Sequence, residues 1–326
     1  MCTAITVTIG DNYFGRNLDY EYDFGQKVVV TPRKYLFKFS NGEVLGDHYA
    51  MIGMALVCDN YPLYFDATNE MGLSMAGLNF PDNAKYMKKS DSAVNVASYE
   101  FIPFVLSKCK TVVEAKELIG MINITDEAFN ESLSPSPLHW IVADKEECIT
   151  VEQTKDGLKI YDNSVGILTN NPPFDYQMQN LSNYMSVTAK EPINLFSGKI
   201  DIQPYSRGMG GIGLPGDLSS ASRFVRASFI KLNCIFGNEE KNIINEFFHI
   251  LYSVYQQRGC AQVGDSFEIT NYSSCCNTNK GIYYYTTYQN SDIIGVDMHC
   301  VDLEGASVVV YELIKNSNVI IQNSIT

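Results

Sequence analysis

Positive charge is scarce in this sequence. Its 326 residues hold 24 Lys and Arg against 37 Asp and Glu, a formal net charge of −13, and no basic run exceeds Lys88-Lys89. Phosphate backbones demand clustered Lys and Arg, so nucleic acid is not expected as a partner. The acidity reads as solubility. Long apolar runs are also missing: no stretch approaches about 18 consecutive apolar residues, so no transmembrane helix is expected. The start, Met1-Cys2-Thr3-Ala4-Ile5-Thr6-Val7, has no positive n-region and does not read as a secretory signal. The nine cysteines contain no C-x-x-C, which speaks against a zinc site or a thioredoxin-like motif. Scattered thiols without a framework fit a reducing, cytoplasmic setting. H-E-x-x-H and G-x-S-x-G are absent as well, against the common metalloprotease pattern and an α/β-hydrolase serine. The glycine-rich stretch from Gly208 to Asp217 lacks a Gly-Lys-Ser/Thr ending and reads as a mobile or interface loop.

What is present supports a large core, with 45% apolar residues, 21 Tyr and 17 Phe. Ile5, Val7 and Ile9 alternate with threonines before the turn Gly10-Asp11-Asn12, so a first strand and a hairpin into a second, near Tyr13 to Arg16, are expected. Further strands are read at Lys27–Thr31, Ala50–Cys58, Gly72–Leu78, Leu138–Ala143, Cys148–Gln153 and Leu158–Tyr161. In the C-terminal third they are read at Ile282–Tyr288, Ile293–Met298 and Ser307–Leu313. Helices are expected at Ala97–Cys109, from a capping box at Thr111 to about Ile122, from an N-cap at Ser222 to about Phe236, and at Asn242–Gln257. Strands in meanders and helices in blocks argue for an α+β fold, and without linker or repeat the chain reads as one domain, 1–326.

Four histidines, His48, His139, His249 and His299, sit where packed or surface histidines are ordinary. Attention passes to Cys2. Methionine aminopeptidases remove Met1 before a small second residue, and Cys2 would then carry both a thiol nucleophile and an α-amine to serve as its base. The hairpin returns Gly15-Arg16-Asn17-Leu18-Asp19 beside it. Arg16 can favour the thiolate and Asp19 can hold an ammonium; the alternative, an ordinary surface ion pair, is weakened by two further polar segments in apolar surroundings. Asn79 and Asn170 each close a strand, where they can donate to an oxyanion or simply shape a turn. Tyr20, Tyr22 and Phe24 at alternate positions, with Phe65 and Leu138, are candidates for an apolar pocket, and ordinary packing explains each as well.

In their order these segments resemble the choloylglycine hydrolase family, which contains bile salt hydrolases and penicillin V acylases. The resemblance runs through Met1-Cys2-Thr3, Phe14-Gly15-Arg16-Asn17-Leu18-Asp19, Asn69-Glu70-Met71-Gly72-Leu73, Ala76-Gly77-Leu78-Asn79-Phe80-Pro81 and Leu138-His139-Trp140. It continues through Val151-Glu152, Leu168-Thr169-Asn170, Gly213-Leu214-Pro215-Gly216-Asp217, Ser222-Arg223-Phe224 and Phe247-Phe248-His249-Ile250-Leu251. It implies an N-terminal nucleophile hydrolase fold, a four-layer αββα sandwich. It implies Cys2 as nucleophile with Arg16, Asp19, Asn79, Asn170 and Arg223 around it, the last having no signal of its own in the spacing. It further implies conjugated bile salts as substrates, no metal or organic cofactor, and a homotetramer, with the segment from Ile200 to Asp217 as candidate assembly or flap region. Asn at position 79, and the lack of a pro-segment before Cys2, resemble the bile salt hydrolases; penicillin V acylases commonly carry Tyr there. A penicillin V or acyl-homoserine-lactone acylase is the nearer alternative, and a non-catalytic bile-acid or lipid-binding protein the more distant one.

Overall fold

The alternation that starts at Cys2 builds the hairpin at the centre of the molecule. In the computed structural model, which describes residues 1–317 and 319–324, β1 (Cys2–Ile9) pairs antiparallel with β2 (Asp11–Tyr20). Residue 318 and the last two residues of the expected 1–326 domain lie outside the described residues. β2 is longer than the expected strand, so Asp19 stands within it rather than after it. The other strands of the two large sheets are β3 (Lys27–Thr31), β4 (Met51–Cys58), β5 (Tyr61–Asn69), β6 (Ser74–Asn79), β7 (Leu138–Ala143), β8 (Cys148–Thr154), β9 (Gly157–Asp162) and β10 (Ile167–Leu168). They are followed by β11 (Ile269–Asn277), β12 (Ile282–Thr287), β13 (Ile294–Asp297) and β14 (Val309–Tyr311). Among the described residues these form a six-stranded sheet, β10-β1-β2-β11-β12-β13, and an eight-stranded sheet, β9-β8-β7-β6-β5-β4-β3-β14.

The two sheets pack face to face with helices outside, giving the four layers. Alternation explains the eight-stranded sheet: Val28, Val30, Ala76, Leu78 and Ile141 point into the inter-sheet core, while Val29, Met75, Trp140 and Val142 point to the outer helices. Helices α1 (Phe101–Leu106) and α2 (Val112–Ile119) cover that outer face. Helix α3 (Phe174–Asn180) follows β10. α4 (Ser220–Asn233) and α5 (Glu240–Tyr252) cover the six-stranded sheet, where Phe224, Phe247 and Leu251 are buried.

Several boundaries differ from the sequence expectation. The segment from Ala97 begins with a 3₁₀ turn, Ser98–Glu100, and only Phe101–Leu106 is α-helical, with Pro103 tolerated in its first turn. Thr111 does cap α2, accepting from Glu114 N–H, but the Glu114 carboxylate reaches back to Lys110 N–H. α2 stops at Ile119, and Ile122–Thr125 is a short strand. The N-cap of α4 is Ser219, not Ser222; the Ser222 hydroxyl instead donates to Asp217 from inside the first turn. β5 and β11 lie outside the expected set although each is buried along most of its length. β11 reads Ile-Thr-Asn-Tyr-Ser-Ser-Cys-Cys-Asn, with too many polar residues for its interior position to register as periodicity. Gly15 is required by β11: a Cβ there would stand 1.9 Å from Ser274 O.

Candidate active site

Cys2 opens β1 opposite Leu18, with its side chain buried against a cavity of about 360 Å³. Successive side chains of β2 alternate between faces. Arg16, Leu18 and Tyr20 therefore turn to this cavity, whereas Asn17 and Asp19 turn to the helical layer. On that side Asn17 Nδ2 donates to Leu251 O of α5 at 2.9 Å. The hairpin thus brings Arg16 and Asp19 to Cys2 from opposite faces, and they form no ion pair with one another among the described residues.

Arg16 is fully buried and bridges the two sheets. Its Nη1 donates to Gly77 O at 2.6 Å and to Phe65 O at 3.0 Å, while Nη2 is buried without a partner among the described residues. Burial works against the charge, but Cys2, Tyr272 and Asp66 outweigh it and hold the guanidinium above its ordinary value. Asp66 is the counter-charge. Its carboxylate accepts from Tyr272 and Tyr283 hydroxyls, each at 2.6 Å, and burial raises its pKa while Arg16 opposes the rise. Sequence reasoning missed Asp66. The available signal was one carboxylate amid the otherwise apolar and aromatic run Leu63-Tyr64-Phe65-Asp66-Ala67, a placement that needs a buried partner.

The nitrogen of Cys2 is held on the other side. It donates to Asn170 Oδ1 at 2.7 Å, and the same oxygen accepts from Arg223 Nη2 at 2.8 Å. Arg223, buried in the first turn of α4, also donates from Nη1 to Cys2 O and to Thr3 Oγ1. Burial lowers its pKa, against the pull of Asp19 and Cys2. Asp19 Oδ1 accepts from Thr270 Oγ1 at 2.6 Å, and Oδ2 has no partner among the described residues. Burial raises the Asp19 pKa, with Arg223 the strongest opposing charge. Met1 extends the ladder: Asp19 N–H donates to Met1 O at 2.9 Å, and the Met1 ammonium donates to Asp19 O at 2.7 Å and to the buried Glu268 carboxylate. Thr270 and Glu268, on and beside β11, were also missed, because nothing local marks them.

Asn170 and Asn79 meet. Asn170 Nδ2 donates to Asn79 O at 2.6 Å, which leaves its second hydrogen free, and Asn170 N–H is fixed by Ser220 Oγ at 2.7 Å. Phe80 N–H is spent on Pro137 O. By strand alternation Asn79 presents its own N–H and C=O at the opposite edge, toward Arg16, Asn170 and the cavity. His139 is a satisfied core histidine: Nε2 donates to Thr169 O at 2.8 Å, and Nδ1 lies 3.0 Å from Glu152.

All five expected pocket residues line the cavity with Cys2. Tyr20, Tyr22, Phe24 and Phe65 form a chain of ring contacts with centroids 4.7 to 5.3 Å apart, and Leu138 lines the same cavity. Ile102, Phe129 and Leu133 are among the further lining residues that were missed, two of them from a loop without periodicity. A larger cleft of about 610 Å³, beside Thr6 and Lys231, contains none of the expected residues. Among the described residues no group of three or more His, Cys, Asp and Glu is placed to hold a metal ion, and no helix is long and apolar enough to cross a membrane.

Comparison with known proteins places this geometry in a family. A family model described as linear amide C–N hydrolases, choloylglycine hydrolase family, matches residues 2–311. The bile salt hydrolase/transferase of Lactiplantibacillus plantarum is 51% identical over 314 residues, covering 96% of this chain and 97% of that protein. A crystal structure of a variant of conjugated bile acid hydrolase from Clostridium perfringens is 36% identical, with a TM-score of 0.91 over 99% of this chain and 100% of that one. The penicillin V acylase of Agrobacterium tumefaciens, 18% identical, shares the fold over 97% of this chain and 94% of its own, at a TM-score of 0.76. The αββα sandwich is that of the N-terminal nucleophile hydrolases.

Proposed function

The chain belongs to the choloylglycine hydrolase family of linear amide C–N hydrolases, and from that premise we propose that it cleaves glycine- or taurine-conjugated bile acids through Cys2 as an N-terminal nucleophile. One observation carries the reading. Both reacting atoms of Cys2 are addressed separately, the sulfur from the cavity face near Arg16 and the nitrogen by Asn170 Oδ1.

In this mechanism Met1 is first removed, converting the Cys2 nitrogen from an amide to an amine. The thiol passes its proton to that amine, directly or through water. The thiolate attacks the amide carbonyl, and the free N–H of Asn170 with the N–H of Asn79 stabilises the oxyanion, worth roughly 3–4 kcal/mol per good donor. The ammonium protonates the departing glycine or taurine nitrogen, and water hydrolyses the thioester. Arg16 holds charge at the sulfur and offers its unpartnered Nη2 to the substrate. Asp19, through its unpartnered Oδ2, favours the ammonium. Arg223 fixes Asn170 and the Cys2 carbonyl. The aromatic wall suits a rigid amphipath with few polar anchors.

Two further readings belong to the same proposal. The exposed apolar side chains of Met185, Ile193, Leu195 and Phe196, continued by Ile200, Ile202, Tyr205 and Ile212 within the expected Ile200 to Asp217 stretch, support assembly into a homotetramer. Nine unpaired cysteines support a cytoplasmic location.

The test combines intact mass with parallel assays of taurocholate, glycocholate and penicillin V. Processed protein lacking Met1 is expected to release taurine and glycine faster than it cleaves the side-chain amide of penicillin V. Processed protein that cleaves only penicillin V overturns the substrate reading. Processed protein whose Cys2 resists thiol reagents overturns the catalytic one.

A further inference from the structure

Glu268 is buried in the molecule, 5% exposed, yet its carboxylate serves no residue of the surrounding sheet. Its hydrogen-bond partner is the Met1 ammonium, shared with Asp19 O. The Met1 nitrogen is three covalent bonds from the Cys2 nitrogen, hence less than about 4.3 Å away. When Cys2 leads the chain, Met1 leaves behind a slot beside the new amine, with a buried carboxylate on its far wall.

We infer that Glu268 is a positioning residue for the nucleophile's amine, acting with Asp19 as a second acidic counter-charge to the Cys2 ammonium, directly or through one water in the Met1 slot. The inference rests on the proposed N-terminal cysteine mechanism and adds a residue to it. Asp19 alone leaves the ammonium in an unbalanced field. Two guanidinium groups stand near Cys2, Arg223 from α4 and Arg16 from β2, and both disfavour a further positive charge. Asp19 from β2 and Glu268 from the turn before β11 oppose them. Tyr20 and Tyr272 also face Cys2, as neutral hydroxyls. With Glu268 ionised the amine keeps enough basicity to take the thiol proton and to return it to the leaving nitrogen. Without it the two arginines push that basicity down.

The experiment uses processed full-length enzyme, its lack of Met1 verified by mass. The pH dependence of Cys2 alkylation and of kcat/KM for taurocholate is recorded for the parent, Glu268→Gln, Glu268→Asp, and Glu268→Ala with and without formate. The acid limb of both profiles should move to lower pH in Glu268→Gln by about one unit. It should stay nearer the parent in Glu268→Asp, and return toward it when formate fills the Glu268→Ala slot. Unmoved limbs in folded Glu268→Gln, or an Ala variant blind to formate, overturn the inference; if Glu268→Gln does not fold, the formate arm decides. Alkylation reads the amine–thiol pair without substrate, so a wrong substrate assignment leaves that limb intact while abolishing the taurocholate signal.

Discussion

The proposed mechanism needs two atoms of Cys2 in two chemical states, and each has its own prediction. Cys2→Ser leaves every hydrogen bond to the Cys2 backbone in place, so circular dichroism and melting should match the parent, while bile salt turnover falls by orders of magnitude because an alcohol is a far poorer nucleophile than a thiolate. A fully active Ser variant sinks the mechanism. Retained Met1 removes the base instead. Protein shown by mass to keep Met1 should be inactive or nearly so, with its ammonium tied to Glu268 and Asp19. Asn170→Ala should lower kcat by at least about 10²–10³-fold, since it removes an oxyanion donor and also the acceptor shared by the Cys2 nitrogen and Arg223. A steady-state comparison on glycocholate checks it; an unchanged kcat would place the oxyanion elsewhere.

Two elements carry contacts that a single substitution isolates. In β2, Gly15→Ala drives a Cβ to 1.9 Å from the backbone oxygen of Ser274, which only separation of β2 from β11 relieves. The expected cost is about 3 kcal/mol, seen as a lowered Tm, with loss of activity because Arg16 is the next residue. In α4, Lys231 is largely buried and donates to Val165 O, and burial lowers its pKa to about 8. The unfolded chain keeps the ordinary lysine value near 10.4, so between roughly pH 8 and 10 it binds the proton that the folded chain has lost. Stability from this group therefore rises with pH across that window, and below pH 8 the folded charge costs on the order of 3 kcal/mol. Lys231→Met should be more stable than the parent at pH 7 and should flatten the rise in Tm from pH 8 to 10. An unchanged slope would show that Lys231 is not its source.

For the whole molecule, the segment around Leu195 and Phe196 leaves side chains 85% and 84% exposed, a state apolar groups keep only when something else covers them. A second copy of the chain is the occupant we expect. Sedimentation should give a tetramer for the parent and smaller species for Leu195→Asp with Phe196→Asp. A parent that sediments as a monomer removes the assembly reading.

Much of the site was legible because a hairpin is a local object. Alternation and a Gly-Asp-Asn turn fixed the β1–β2 register, and the register alone returned Arg16 and Asp19 to Cys2. The aromatic spacing of Tyr20, Tyr22 and Phe24 was readable for the same reason. The strands missed, β5 and β11, are buried on grounds of topology and not of composition. Asp66, Tyr272, Tyr283, Thr270 and Glu268 reach the site only because β11 pairs with β2 and the two sheets face each other. By itself the sequence determined the candidate nucleophile, its hairpin and the family pattern, all of which are carried by short segments. Only the tertiary structure decided which charges face each atom of Cys2, because burial and counter-charge are properties of contacts between residues up to 267 positions apart.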